Sequence, residues 1–476
     1  MKKISILFIA SIAFISLFSV SCDKDFETVN TDPNNPTSVP AHLLLGNIIR
    51  VNQNTIYDML QGGDMGMCWA QHLSKVQYNE EERYIPRRGV IDNIWDTLFA
   101  SVIADSQAMY TLAGKEGNSN LKGISLILQA NAFQILTDLY GPIPFTEFNK
   151  SGNFKPVYDS QEVVYDGILN LLTQADAILA SGSGIIPPTS DLVYGGDTSK
   201  WRKLANSLKF KALMRISSKR NVNAQLQELV NGGQLMSSNS DSAQLKYLDA
   251  QPHANPIYET IVYGVRGEYK VSSVLVDKLN QLGDPRLDVY AALNENNQYV
   301  GNDPGQENPG SYNAFSSLGS FYTKPTLEGV ILSYAQLQFL LAEAANEGYI
   351  SGGLSAALTY YKEGITANFQ FNGIGAQAAV YIVKPEIAFS TKAEASVKIG
   401  EQEWLALYGQ GFEAWSEWRR TGYPALSPVI EAAETSIPSR LYYNSQEVSL
   451  NRANYEAASA TITGGDKLTS PIWWMN

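Results

Sequence analysis

The fifteen residues from Gln410 to Pro424 constrain this chain more than any other stretch, because they set Phe412, Trp415, Trp418 and Tyr423 beside Arg419 and Arg420. Leu405, Tyr408, Phe412, Trp415 and Arg419 recur at spacings of three and four, and so do Trp404, Leu407, Gly411, Ala414 and Trp418. Two adjacent rows of that kind give a helix whose apolar face is too wide to leave in water. Glu401 and Glu403 suit the positive N-terminal end of such a helix, and Gly422 and Pro424 end it. The pattern predicts a helix over 400–420 that is buried in a large core.

The N-terminus has a different character. Lys2 and Lys3 precede an uncharged run from Ile4 to Val20. That run is short for a membrane span and suits the apolar region of an export signal. Ser21 then precedes Cys22, the layout of a lipoprotein signal in which the thiol is acylated and becomes the new N-terminus. A plain cleaved signal is the alternative, since position 19 is Ser where Leu is commoner. Residues 1–21 are read as the signal, Cys22 as the lipidation site and 22–40 as an acidic, proline-bearing tether with Asp23, Asp25, Glu27, Pro33, Pro36 and Pro40. Attachment to the membrane would rest on the lipid.

Cys22 and Cys68 are the only cysteines, so a lipidated Cys22 leaves no intrachain disulfide and the core must supply stability. A hydrophobic fraction of 44% is sufficient. The net charge of −12 becomes two units more negative when Lys2 and Lys3 are removed. Such a surface argues against nucleic acid as a partner and for a neutral ligand or simple solubility.

From residue 41 to 476 the chain reads as a single domain. Helical periodicity appears near 41–60, 90–113, 119–140, 160–181, 198–219, 329–348, 353–370 and 400–420, with short Gly-, Ser- or Asn-rich turns between many of them. Helix pairs in series resemble tetratricopeptide units. The clearest pair spans 330–370, where Ala342, Ala344 and Ala345 face Ala357, Tyr361 and Gly364. Between 235 and 328 the helical pattern fades except near 272–282, and a second irregular stretch covers 371–399. Such excursions are usually functional loops. The expected fold is mainly α: a tetratricopeptide-like superhelix of helix pairs, with a loop-rich lobe containing little β structure.

Further motifs accompany the opening one: Thr137-Asp138-Leu139-Tyr140-Gly141-Pro142-Ile143-Pro144-Phe145, Asp284-Pro285-Arg286, Leu341-Ala342-Glu343-Ala344-Ala345, Ile437-Pro438-Ser439-Arg440 and Trp473-Trp474. In this order, and with the Arg-Arg-Thr-Gly-Tyr-Pro ending of the 410–424 stretch, the chain resembles the SusD/RagB family of nutrient-binding outer-membrane lipoproteins of Bacteroidetes, in its SusD-like branch. The acidic residues after Cys22 resemble the surface-export signal of such lipoproteins. The resemblance implies a lipid-anchored protein on the outer face of the outer membrane that captures oligosaccharides, or in some members peptides. It also implies a SusC-like TonB-dependent transporter as partner, and a task of binding with no cofactor.

The residues speak independently against several enzyme classes. His42, His72 and His253 are too scattered for a helix-borne zinc pair, and CxxC, HExxH, GxSxG and Walker patterns are absent from the sequence. Gly373-Ile374-Gly375-Ala376-Gln377-Ala378 superficially resembles a dinucleotide loop but lacks the preceding strand. Glycoside hydrolysis needs only two suitably spaced carboxylates among 47 acidic residues, so it is the enzymatic alternative. A free-standing adhesin or scaffold is the non-enzymatic one. Glu343 is read as the partner of Arg419 or Arg420, Trp404, Trp415 and Trp418 as core, and Cys68 as a buried thiol.

A sugar presents apolar C–H faces and polar edges, so its site needs exposed aromatic rings with amide, carboxylate or guanidinium groups beside them. Three loops offer these. Val76 to Arg87 carries Tyr78, Arg83 and Tyr84, a second loop runs from Tyr263 to Tyr269 with Arg266 and Glu268, and a third runs from Tyr312 to Tyr322. These tyrosines either meet across a groove or pin their own loops.

Overall fold

The computed structural model describes residues 39–475. The signal, Cys22 and nearly all of the 22–40 tether lie outside the described residues. Helices form where the apolar period and a polar start coincide. They include α1 (His42–Tyr57), α2 (Ala104–Lys115), α3 (Ser119–Tyr140), α4 (Gln161–Ala180), α5 (Thr198–Arg215), α6 (Ser273–Leu282), α7 (Tyr334–Glu347), α8 (Gly353–Phe371), α9 (Lys392–Ala406) and α10 (Gly411–Thr421). Asn118 caps α3 through Leu121 N–H, Ser160 caps α4, Asp197 caps α5, and Thr391 with Glu394 forms a reciprocal capping box on α9.

The scaffold is a succession of neighbouring helices, α2 with α3, α3 with α4, α4 with α5, and α7 with α8. In the last pair Ala342, Ala344, Ala345 and Ala357 are fully buried, and Phe339 fills the space above Gly364, where a Cβ would lie 2.9 Å from its ring. The small-residue contact expected there is the one observed. The molecule is mainly α with little β structure.

Three expectations need correction. The stretch read as a helix over 329–348 begins as a strand, β4 (Gly329–Leu332), which pairs antiparallel with β2 (Ala243–Leu245). The stretch read as one helix over 400–420 is two, α9 and α10, separated at Leu407–Gln410 with Gly409 at a φ of 89°. The break has a steric cause. A π-helical turn, Met59–Met67, passes so near that a Cβ on Gly411 would lie 2.1 Å from the Gly62 carbonyl oxygen. The 90–113 stretch is helical throughout, but Thr97–Ile103 within it is π-helical.

The widely separated sequence motifs converge. Arg419 donates to the carbonyls of Asp138 and Ser439, both at 2.7 Å, and its guanidinium lies 3.8 Å from the Trp415 ring centroid. Arg440 donates to the Tyr140 carbonyl at 2.7 Å, and Trp474 Nε1–H to Asp138 Oδ1 at 2.8 Å. Arg420 grips the half-buried Glu343 with two hydrogen bonds of 2.6 and 2.5 Å, the pairing expected of that carboxylate. Trp404 and Trp415 are buried and Trp418 partly so, as core residues should be, and Cys68 is a buried thiol.

Candidate ligand-binding site

The site grows from a three-residue ladder. β1 (Leu73–Lys75) and β3 (Tyr269–Val271) pair antiparallel, with Lys75 opposite Tyr269. The Val76 N–H extends the ladder to the Glu268 carbonyl at 2.9 Å. Continuing that register sets Tyr78 against Arg266, and the Arg266 guanidinium indeed lies 5.9 Å from the Tyr78 ring centroid. Two loops separated by nearly two hundred residues are thereby joined.

At their junction the Tyr78 ring is 59% exposed and held on a left-handed backbone (φ 54°). Tyr312 leans in from the third loop, donating its hydroxyl to Gln77 Oε1. Its ring also flanks Gly267, where a Cβ would lie 3.6 Å from Tyr312 Cδ1. Arg266 is oriented by Glu268 at 2.5 Å. Tyr263, 62% exposed, ends a π-helical turn (Glu259–Tyr263) just ahead of the exposed Val265. Tyr78, Arg266 and Tyr312, with Gln77 between them, form a surface with exposed rings and polar edges, and Tyr263 stands beside it in sequence.

The other four candidates serve the fold. Tyr84 is 2% exposed, packs edge-on against Trp69, and accepts the Val429 N–H at 3.0 Å, with burial pushing its hydroxyl up to about 12. Tyr269 is buried and donates to Asp64 Oδ1 at 2.8 Å. Tyr322 is buried against Tyr290 and Tyr408 and donates to Asn372 Oδ1 at 2.9 Å. A ring with both faces packed has none left for a sugar, so these three are corrected to scaffold. Arg83 ties its loop down through Glu307 at 3.4 Å and the Glu431 carbonyl at 3.2 Å.

Beside the exposed rings lies a charged layer, buried at Lys75, Asp64 and Glu81 and exposed at Arg87. Lys75 Nζ reaches Asp64 at 3.0 Å and Glu81 at 3.7 Å, and Arg87 reaches Asp64 at 3.2 Å. Burial pushes the Asp64 carboxyl above the usual carboxylate range, against the pull of Lys75. Glu82, also buried, accepts two backbone N–H groups, and burial pushes its carboxyl up to about 7. Nothing in the sequence singles out Gln77 or Glu82, although both lie within the Val76–Arg87 loop. Their partners, Tyr312 and Gly305, are more than two hundred residues away, so no local pattern marks them.

The scaffold also holds a small, partly open cavity of about 40 Å³ lined by Asn131, Gln134, Lys211 and Glu413, room for a few waters. Among the described residues no group of three His, Cys, Asp or Glu side chains is placed to hold a metal ion.

Solved structures share this architecture. A chitin-binding protein is 26% identical with a TM-score of 0.80, the match covering 92% of this chain and 99% of that one. A SusD homologue from Bacteroides fragilis is 27% identical with a TM-score of 0.78, covering 92% and 99%. A SusD-like protein from Bacteroides thetaiotaomicron is 25% identical with a TM-score of 0.78, again covering 92% and 99%. No curated protein matches the chain in sequence. The SusD-like family, described as starch-binding and associating with the outer membrane, matches residues 33–444, and this chain belongs to it.

Proposed function

We propose that the protein is a lipid-anchored receptor on the outer face of the outer membrane, which captures oligosaccharides and passes them to a SusC-like TonB-dependent transporter. The observation that carries the ligand class is the exposed surface of Tyr78, Arg266 and Tyr312, joined through Gln77. Aromatic faces stack on the C–H faces of a sugar, while the amide and guanidinium meet its hydroxyls. The chitin-binding function of one structural relative points the same way. Cys22 supplies the anchor in this reading, and the 22–40 tether spaces the domain from the membrane. The task is binding: Glu268, the carboxylate beside the exposed rings, is already held by Arg266.

A glycan array on the Cys22→Ser protein, run beside a peptide library, tests the ligand class. Binding to peptides and to no glycan would replace oligosaccharide by peptide, and release of reducing ends from polysaccharide would restore the glycosidase alternative. Each stacking ring contributes on the order of 1 kcal/mol beyond burial. Tyr78→Ala with Tyr312→Ala therefore weakens glycan binding tenfold or more while leaving thermal stability nearly unchanged. Unaltered affinity in that double variant would remove the site from this surface. Affinity isolation from solubilised membranes tests the partner, and repeated recovery of the protein alone would favour a free-standing adhesin.

A further inference from the structure

One carboxyl group is among the bonds that fasten the loop carrying Tyr78 to the segment carrying Tyr312 at their bases. Glu82 is wholly buried. Its Oε2 accepts the Lys75 N–H at 2.8 Å and its Oε1 the Gly305 N–H at 2.9 Å. Lys75 belongs to β1, the root of the Tyr78 loop, and Gly305 lies on the segment that leads to Tyr312. The approach at Gly305 admits no side chain, because a Cβ there would lie 2.2 Å from the Ile430 carbonyl oxygen.

Among the described residues the charged and titratable neighbours leave Glu82 without a cation of its own. Lys75 sends its ammonium to Asp64 and Glu81. The Cys68 thiol just past the π-helical turn and the Tyr84 hydroxyl from its own loop are titratable groups nearby. On the opposite segment Glu307 is engaged by Arg83, and Asp303 offers its carbonyl to Ser74 Oγ at 3.3 Å.

We propose that Glu82 is a positioning residue for the Tyr78–Tyr312 surface: a proton-sensitive clamp that is closed while its carboxyl is neutral and loosens when the carboxyl ionises. Its relevance to ligand capture rests on the binding role proposed above for that surface, whereas the clamp itself does not. In the closed form burial holds the carboxyl at about 7, against hydrogen bonds from the Ser74 hydroxyl and the two backbone N–H groups and against the charge of Lys75. Once the segment opens, water reaches the group and it titrates near the ordinary glutamate value of 4.5. A folded value above the open one means that the proton binds the closed form more tightly. The closed form is therefore favoured below 4.5 and loses ground as pH rises through about 7. Those two values make the opening equilibrium rise roughly tenfold between about pH 6 and about pH 8.

Hydrogen exchange read by mass spectrometry on the sugar-free, full-length domain tests this without any ligand. After correction for base-catalysed exchange, protection over 301–312 should fall roughly tenfold from about pH 6 to about pH 8, while α3 stays unchanged. In Glu82→Gln the amide nitrogen cannot accept an N–H, so the segment should exchange faster and equally at both pH values. Asn79 ties the same two segments through the Gln306 carbonyl at 2.7 Å with no titrating group, so Asn79→Ala should loosen them to the same extent at both. A flat profile over 301–312 in the wild type overturns the clamp, whether or not Glu82→Gln folds.

The positioning role is read separately with chitohexaose and maltoheptaose as probes. A bound sugar should raise protection over 301–312 in the wild type and not in Tyr78→Ala. A sugar that binds without changing that protection overturns the positioning role. If the pH profile appears but neither sugar binds, the clamp stands and the oligosaccharide reading fails.

Discussion

Replacing Arg420 by Met probes the seam where α10 meets α7 and α9. Arg420 holds Glu343 through two hydrogen bonds of 2.6 and 2.5 Å and Glu417 through a third of 2.7 Å. Glu403, 1% exposed, has neither carboxyl oxygen hydrogen-bonded, and burial followed by the Glu417 charge pushes it well above the usual range. Five buried or half-buried carboxyls, Asp138, Glu343, Glu403, Glu413 and Glu417, thus share four cations, Lys211, Arg215, Arg419 and Arg420. Met keeps the volume and removes one cation. Glu343 loses the one partner it has among the described residues, while Glu417 retains Arg215 at 3.0 Å.

Breaking a buried pair from one side costs about 3–5 kcal/mol. Unfolding entropy of roughly 2 cal/mol/K per residue makes each kcal/mol about 1 °C in a domain of this size, so the melting temperature should fall by about 3–5 °C. The sign with pH is also fixed. Carboxyls left without a cation bind protons more tightly folded than unfolded, so their stabilisation is present at low pH and lost as pH rises. The Arg420→Met deficit should therefore be smaller at about pH 5 than at about pH 7.5. Adding Glu343→Gln should recover part of the loss. Urea titrations of the single and double variants at both pH values measure these quantities. A deficit below about 1 kcal/mol at neutral pH, or one identical at both pH values, refutes the charge argument.

Gly411→Ala forces a Cβ to within 2.1 Å of the Gly62 carbonyl oxygen and should cost about 3 kcal/mol in thermal unfolding; an unchanged melting temperature would show that the two backbones can part freely. Tyr84→Ala removes a buried ring and should cost about 3–5 kcal/mol, where Tyr78→Ala costs almost nothing; equal losses would contradict the assignment of one to scaffold and the other to surface. Cys22→Ser should release the folded protein from the membrane fraction, and retention after a high-salt wash would mean that another element anchors it.

Most of the scaffold was legible because its information is local. The period of α3, α4 and α8 is written in consecutive turns, and the side-chain caps of α3 and α4, Asn118 and Ser160, accept N–H groups only three residues on. The failures have non-local causes. Nothing within 400–420 announces that Gly62 and Gly66 will press against Gly411, so the helix reads as continuous. β4 is fully buried along all four residues and shows no alternation to separate it from the first turn of α7. Among the tyrosines the same limit applies. Tyr78 and Tyr84 sit six residues apart in one polar loop, and what separates them is Trp69 and Val429 closing over the second and not the first.

The placement of the motifs explains how such a chain can keep its fold while its ligand changes. Asp138, Glu343, Arg419, Arg420, Arg440 and Trp474 bond to one another or to the carbonyls beside them in the scaffold, and in none of these bonds do they touch Tyr78, Arg266 or Tyr312. The link between scaffold and surface runs through α9. Trp404 donates to the Ala70 carbonyl at 2.8 Å and its own carbonyl meets His72 Nε2 at 2.9 Å, immediately before β1 begins. Burial pushes His72 down to about 3, so its ring stays neutral and this anchor does not change through the physiological range. From there the short ladder with β3 sets the direction of Tyr78. Beyond the ladder only loop side chains determine what is presented. A substitution at Gln77, Tyr78, Arg266 or Tyr312 therefore alters the proposed recognition surface at little cost to the core, whereas one at Arg420 does the reverse.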